Sequence, residues 1–97
     1  MTKQTEDILT QLRALAPELD RFKARRLKLF GSFARGEALE QSDVDLLVEF
    51  APGAGLFDLV GLGDFLEDKL SRYVDLVPEN ALRIELKERV MKEAIAL

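Results

Sequence analysis

Residues 29–50 read LFGSFARGEALEQSDVDLLVEF, and this stretch decides the fold of the chain. Its second half, residues 43–50, is predicted to be a β-strand because it is short and almost wholly apolar after its start. Side chains alternate between the two faces of a strand, so Asp43 and Asp45 share one face while Val44 lies on the other. Two carboxylates are therefore expected side by side at the beginning of a strand that is otherwise suited to burial.

This aspartate pair predicts a cation site. Aspartate is a poor strand former, and two like charges so close together cost free energy unless something positive lies between them. Magnesium fits such a pair, because it prefers one or two carboxylates together with substrate phosphates and retained waters. The alternative is that Ser42 and Asp43 form a polar turn before a buried strand and that Asp45 faces solvent at a sheet edge.

The first half of the stretch is predicted to hold an anion. A short apolar strand, residues 26–30, stops at Gly31, where the missing Cβ lets the backbone bend and approach a ligand. If a helix begins there, Ser32 and the free backbone N–H groups would bind phosphate, and Arg35 would add a positive charge one turn later. Gly36 would also allow close approach. The alternative is a tight turn followed by one helical turn, with Arg35 solvated.

Taken together, residues 31–50 resemble the signature G-S-x-x-R-G followed by S-D-x-D-L-L-V of the nucleotidyltransferase superfamily related to DNA polymerase β. More narrowly, they are similar to minimal nucleotidyltransferase (MNT) domains, which pair with HEPN-domain proteins in prokaryotic toxin–antitoxin systems. The resemblance implies a magnesium-dependent enzyme that transfers AMP from ATP to a hydroxyl group of a HEPN toxin. Such an enzyme would silence the toxin and so act as an antitoxin.

A third acidic residue, Asp75, lies within the predicted strand 73–77. A right-handed strand–helix–strand crossover would make this strand parallel to the strand of residues 43–50 and bring Asp75 next to Asp43 and Asp45. A carboxylate buried in an apolar strand needs a cation or a hydrogen-bond donor. The resemblance implies that Asp75 completes the metal site and helps to deprotonate the attacking hydroxyl group. Alternatively, Asp75 pairs with Arg72 or is solvated.

The expected mechanism is an in-line displacement supported by two magnesium ions, with ATP as the substrate and pyrophosphate as the leaving group. The residues expected to bind metal and to act in catalysis are Asp43, Asp45 and Asp75. The residues expected to bind the nucleotide phosphates are Gly31, Ser32, Arg35 and Gly36.

The composition counts against several classes of function. The chain has 97 residues, enough for one domain spanning residues 1–97, and a net charge of −4 without a basic block. Direct binding of nucleic acid, which depends on clustered Lys and Arg, is therefore not expected. The absence of Cys and His excludes thiol nucleophiles, imidazole bases and zinc sites. Without a signal peptide or an apolar run of membrane length, we expect a cytoplasmic protein with no membrane contact.

The predicted fold is α/β (α+β): a small mixed sheet of three or slightly more strands flanked by helices, in the order α-β-α-β-α-β-α. The first two strands are expected to be antiparallel, because only about a dozen residues connect them. Apolar periodicity predicts helices over residues 4–22, bent or split at Pro17, and over residues 56–70 and 80–97. The last helix is expected to cover the sheet, and the alternative is that part of its broad apolar arc is a partner surface.

Two other functions stay open on the sequence. One is a non-catalytic antitoxin that neutralises its partner by binding. The other, less favoured, is a small-molecule nucleotidyltransferase, since 97 residues leave no room for an acceptor-binding domain. The acceptor is therefore expected on another chain, and the protein could form a homo-oligomer or a hetero-oligomer.

Overall fold

A four-stranded sheet organises the chain, which the computed structural model describes over residues 1–97. The helices and strands are, in chain order, α1 Lys3–Ala14, β1 Ala24–Phe30, α2 Gly31–Arg35, β2 Val44–Phe50, α3 Leu56–Leu70, β3 Val74–Pro78, α4 Ile84–Glu93 and β4 Ile95–Ala96. Two 3-10 segments, Ala16–Phe22 and Glu79–Ala81, complete the secondary structure. No helix combines the length and the apolar character that a membrane crossing requires.

The sheet has the strand order β3-β2-β1-β4 and is mixed, as predicted. β1 and β2 pair antiparallel, with Leu29 opposite Leu46 and Phe30 opposite Asp45. β2 and β3 pair parallel through the crossover helix α3. Both predicted strand pairings are confirmed, and so is the fold class of a small mixed sheet flanked by helices.

One face of the sheet is sealed by an apolar core. Val44 and Leu46 of β2 are fully buried against Leu62 and Leu66 of α3, and each of these four side chains is 0 % exposed. Full burial of such a side chain stabilises the fold by about 1.5–3 kcal/mol. Asp45, between Val44 and Leu46 in the strand, therefore lies on the opposite face. The alternation of β2 separates the core from the candidate site.

The long first helix predicted over residues 4–22 is wrong in its second half. α1 ends at Ala14, and the chain continues as the 3-10 segment Ala16–Phe22. Pro17 explains the break, because proline has no N–H and its ring clashes with the carbonyl four residues earlier in an α-helix. In α3, by contrast, the predicted bounds hold. Gly61 lets Phe22 pack closely, since a Cβ there would lie 3.3 Å from the Phe22 ring.

The predicted last helix, residues 80–97, is also wrong at both ends. α4 covers only Ile84–Glu93, and none of its residues is buried, so it does not seal the sheet as expected. After Ala94 the chain becomes extended, and β4 pairs antiparallel with β1, Ile95 opposite Leu29. The backbone groups at the open edge of β1 need hydrogen-bond partners, and pairing them outweighs the helical preference of a few terminal residues.

Candidate active site

The aspartates meet where β2 begins beside β3. Asp43 is exposed immediately before β2, and Asp45 is half-buried within it. Asp45 and Asp75 are direct register partners in the parallel pair, which confirms that the crossover brings Asp75 next to the pair. Neighbouring strands lie about 4.8 Å apart, so the two carboxylates rise from adjacent positions.

Of the alternatives for Asp75, the structure agrees with solvation. The side chain is exposed and not buried in an apolar strand, because β3 is an edge strand and Asp75 lies on the face opposite the core. It does not pair with Arg72, whose Nη1 instead donates to the backbone carbonyls of Glu40 at 2.8 Å and Ser42 at 3.2 Å. Asp75 therefore carries a solvent-facing carboxylate next to Asp45.

Electrostatic repulsion concentrates at Asp45. Burial raises the pKa of the Asp45 carboxyl group above its ordinary value, and the negative charges of Asp75 and Asp43 raise it further. The positive charge of Arg35 lowers the pKa of Asp45, whereas the negative charge of Glu93 raises it. A cation beside Asp45 would relieve this repulsion.

The donor set fits magnesium, because three neighbouring carboxylates supply only hard oxygen ligands. No three acidic side chains converge into a preassembled cage, so the protein alone does not complete a coordination shell. Magnesium is usually held in this way, by one or two carboxylates with waters and substrate phosphates as the other ligands.

Gly31 links the expected anion site to the carboxylates. The strand pairing ends at Phe30 and Asp45, and the chain turns into α2 with Gly31 at φ +73°. A Cβ at this position would overlap Oδ2 of Asp45 and lie 2.9 Å from its Cγ. Glycine is therefore required here twice, for its backbone conformation and for the space that the Asp45 carboxylate occupies.

The other expected phosphate-binding residues lie in or directly after α2. Ser32 is half-buried and Arg35 is exposed, both on this single short helix of five residues. Gly36 has φ +75° and ends the helix, with its N–H donating to the Phe33 carbonyl. Its role in the fold is thus a helix cap. A helix this short adds little dipole, so the anion-binding capacity rests on the Gly31 N–H and the Arg35 guanidinium.

Arg35 is exposed, as the alternative interpretation expected, but its guanidinium group is also paired with two carboxylates. Its Nε donates to Oε1 of Glu37 at 2.8 Å, and its Nη1 lies 3.1 Å from Oε2 of Glu93. The hydrogen bond to Glu37 is the main reason that the pKa of Arg35 is raised. The guanidinium group is held in place by two carboxylates.

Glu93 is the residue that the sequence analysis missed. Its Oε2 accepts a hydrogen bond of 2.6 Å from the backbone N–H of Gly31, in addition to the contact with Arg35. The two partners are 62 and 58 residues away in the chain, so no local pattern could have identified the contact. From the sequence, an acidic residue in the last turn of a helix is ordinarily expected to be exposed to solvent.

Arg72 is a second residue whose role was missed. Besides its two hydrogen bonds to backbone carbonyls, its guanidinium group lies 5.1 Å from the centre of the Phe33 ring. Ser42 Oγ accepts from the Leu39 N–H at 2.7 Å within the same connection. These contacts secure the segment that leads into Asp43.

A large cavity lies away from these residues. It has a volume of about 720 Å³ and lies around residues 48–56, at the far end of β2, with Lys87 and Asn80 also in its wall. None of the expected site residues lines it. The candidate site at the start of β2 is therefore separate from this cavity.

Comparison with known proteins gives one consistent result. The family described as nucleotidyltransferase domain matches residues 10–97. A relative from Thermococcus cleftensis, named protein adenylyltransferase MntA, is 40 % identical over 91 residues, which cover 93 % of this chain and 92 % of the relative.

Solved structures agree with the sequence match. A minimal nucleotidyltransferase structure superposes with a TM-score of 0.85 at 42 % identity, covering 97 % of this chain and 96 % of the other. A toxin–antitoxin complex solved with AMP-PNP superposes with a TM-score of 0.67 at 26 % identity, covering 95 % of this chain and 70 % of the matched one.

Proposed function

Since this chain belongs to the nucleotidyltransferase-domain family and closely resembles a minimal nucleotidyltransferase structure, we propose that it transfers AMP from ATP to a hydroxyl group of a HEPN-domain toxin in a magnesium-dependent reaction. The family and the enzyme class predicted from the sequence are confirmed. The substrate, the metal and the acceptor are the proposed parts. The relative named protein adenylyltransferase supports a protein acceptor.

One observation carries the proposal. Asp45 is the register partner of Asp75 on the neighbouring strand, and its carboxylate fills the space that a Cβ of Gly31 would need. The carboxylates proposed to hold metal and the backbone N–H proposed to hold phosphate thus lie close together at one edge of the sheet. The raised pKa of Asp45 supports a cation there, because it reflects a carboxylate that is partly buried beside the negative charges of Asp75 and Asp43.

We assign Asp43 and Asp45 as ligands of two magnesium ions and Asp75 as a ligand of one of them. Bound magnesium would supply charge neutralisation for the triphosphate and stabilise the attacking and leaving oxygens. The Asp75 carboxylate would accept the proton of the acceptor hydroxyl group. The acceptor oxygen then bonds to the α-phosphorus as the bond to pyrophosphate breaks.

The groups around α2 would bind the β- and γ-phosphates. The Gly31 N–H and the Arg35 guanidinium would be the main donors, and Ser32, which lies between them in the chain, is proposed as a further donor. Charge-assisted hydrogen bonds to phosphate are roughly twice as strong as neutral ones, so Arg35 is the main contributor. Gly36 ends the helix and so places Arg35.

The acceptor is proposed to be a second protein. The matched complex that was solved with AMP-PNP is itself a toxin–antitoxin pair, which supports both the nucleotide and the type of partner. The exposed side chains of Asp43 and Asp75 also suit an approaching chain.

The test is intact-protein mass spectrometry of a HEPN-domain protein encoded beside this chain, after incubation with magnesium and ATP. We expect a gain of one or more whole AMP units. The matched control is the Asp43→Asn/Asp45→Asn double variant, which keeps the side-chain shapes but removes the charges. We expect it to produce no mass gain.

Other outcomes separate the alternatives. A partner that is bound tightly but never modified, and that is still neutralised by the double variant, would mean that the chain acts as a non-catalytic antitoxin. A partner that is neither bound nor modified would overturn the protein acceptor and favour a small-molecule acceptor.

A further inference from the structure

The groups proposed to bind the nucleotide phosphates already hold an anion that belongs to the chain itself. The Glu93 carboxylate accepts from the Gly31 N–H at 2.6 Å and from Arg35 Nη1 at 3.1 Å, both through Oε2. A carboxylate oxygen with a backbone donor and a guanidinium donor has the bonding pattern of a phosphate oxygen.

We propose that Glu93 is an internal competitor of the nucleotide, which must leave Gly31 and Arg35 before the triphosphate binds and which thereby sets the affinity for ATP. This inference rests on the proposed function and adds to it a residue that controls the same site.

Competition follows from the donors. The Gly31 N–H has one hydrogen, and at 2.6 Å it is fully used by Glu93. Arg35 is already paired with both Glu37 and Glu93. A phosphate oxygen placed on these donors would lie against the Glu93 carboxylate, and the two like charges repel.

The negative charge of Glu93 adds to the negative charge of the neighbouring aspartates. Asp43, Asp45 and Asp75 already make the site negative, and the charge of Glu93 is felt at Asp45. Displacing the Glu93 carboxylate would free Arg35 for the triphosphate and remove one negative charge from its path.

The side chain can move without a change of fold. Glu93 is the last residue of α4, in which no residue is buried, and its side chain is 21 % exposed. Its backbone is anchored, however, because Ile95 pairs with Leu29 two residues later. Rotation of the glutamate side chain about its own bonds would therefore open the donors while the backbone stays in place.

The experiment measures MgATP binding by calorimetry to the wild type and to the Glu93→Gln and Glu93→Ala variants. We expect roughly tenfold tighter binding by both variants, the effect of losing one charge-assisted competitor. Glu88→Gln is the matched control, since Glu88 lies on the same helix, is exposed and pairs only with Lys92 at 3.4 Å. Its affinity should equal that of the wild type.

A further variant tests whether Glu93 weakens nucleotide binding by occupying the donors or only through its negative charge. Glu93→Asp keeps the charge but is one methylene shorter, so it should lose the contact with Gly31 and also bind MgATP more tightly. Equal or weaker binding by Glu93→Gln and Glu93→Ala, or an equal gain by Glu88→Gln, would overturn the inference.

The wild type alone gives an independent readout by NMR. Saturating MgATP or inorganic triphosphate should shift both the Gly31 amide resonance and the Glu93 carboxyl carbon, and an unchanged Glu93 signal at saturation would overturn the inference even if a variant fails to fold. If AMP transfer is intact but Glu93 variants bind ATP like the wild type, only this inference fails. If the wild type binds no ATP, both proposals fail.

Discussion

At the scale of single residues, Gly31 is where the two halves of the candidate site meet. Its N–H donates to Glu93, and the position of its absent Cβ is filled by the Asp45 carboxylate. Its φ of +73° lies in the left-handed region that favours glycine. One residue therefore sets both the direction of a donor and the position of a metal-ligand candidate.

The Gly31→Ala variant is expected to lose activity and stability together. The added methyl group would displace the Asp45 carboxylate and would require alanine at a strained φ, so we expect a loss of about 1–3 kcal/mol in the free energy of unfolding. Urea denaturation measures this loss, and the AMP-transfer assay should show no product.

Gly63→Ala is the matched control. A Cβ at Gly63 meets no atom within 4 Å, and the residue lies inside α3. Alanine is the better helix former by up to about 1 kcal/mol, so the sign of the stability change should be reversed and activity retained. Equal stability of Gly31→Ala and the wild type would contradict the crowding at Asp45.

The raised pKa of Asp45 predicts how stability depends on pH in the absence of metal. Because the folded chain binds the Asp45 proton more tightly than the unfolded chain, this contribution to stability is complete at low pH. It is lost as the pH rises through the raised pKa. The Asp45→Asn variant, which cannot ionise, should therefore melt a few degrees higher than the wild type near neutral pH.

Thermal melts in EDTA between about pH 4 and pH 8 test this expectation. The difference between the two proteins should shrink toward the acidic end, because a larger fraction of Asp45 is protonated in the wild type as the pH falls. A variant that melts at or below the wild-type temperature at neutral pH would show that Asp45 is not under repulsion.

At the scale of elements, the connection between α2 and β2 determines where Asp43 lies. Arg72, just before β3, holds this connection by donating to the carbonyls of Glu40 and Ser42 while its guanidinium group covers Phe33. The Val44 N–H donates to the Tyr73 carbonyl at 2.9 Å, which joins the same two segments. The start of β2 is thus attached to the start of β3 before the sheet pairing begins.

The Arg72→Ala variant should reduce the rate of AMP transfer more than the affinity for ATP. Loss of both hydrogen bonds would release the segment before Asp43, at a cost of about 1–2 kcal/mol in stability. Steady-state kinetics should show a kcat at least several-fold lower with a smaller change in KM. Arg89→Ala, on the exposed surface of α4, is the control and should match the wild type. An unchanged kcat for Arg72→Ala would mean that Arg72 acts only in folding.

At the scale of the whole molecule, the sheet divides stability from function. Its one face is covered by α1 and α3 and contains the apolar cluster, including Leu9, Leu12 and Leu66. Its other face carries Asp45 and is only partly covered by α4, which has no buried residue. Substitutions on the acidic face can therefore abolish activity without disturbing the core.

This division predicts that ligand binding on the acidic face stabilises the entire fold. At about 100 times the Kd, a ligand that binds only the folded state adds about 2.7 kcal/mol, which for a domain of this size corresponds to an increase in Tm of roughly 10 °C or more. MgATP should produce this shift, and EDTA should reduce it.

AMP with magnesium serves as the ligand control, because it lacks the two phosphates that Arg35 and Gly31 are proposed to bind. Its shift should be much smaller. The Asp43→Asn/Asp45→Asn variant should show little dependence on magnesium. A wild-type Tm that MgATP leaves unchanged would count against nucleotide binding at this face.

Local sequence patterns determined most of the architecture. The alternation in residues 43–50, the apolar stripe of residues 56–70 and the length of the connections between strands led to the mixed sheet and its two strand pairings, because these features depend on near neighbours in the chain. The motif in residues 31–50 likewise indicated the family that the comparisons confirm. The roles of its aspartates in catalysis stay predictions.

Only the tertiary structure decided the features that depend on distant contacts. Residues 95–96 form β4 and not a helix because they pair with the edge of β1. Asp75 is exposed because it lies on an edge strand. Glu93 contacts Gly31 and Arg35 because the pairing of β4 with β1 places the end of α4 beside α2. The sequence by itself determines which residues prefer which element, whereas hydrogen bonds and charge pairs between distant residues exist only once the sheet has closed.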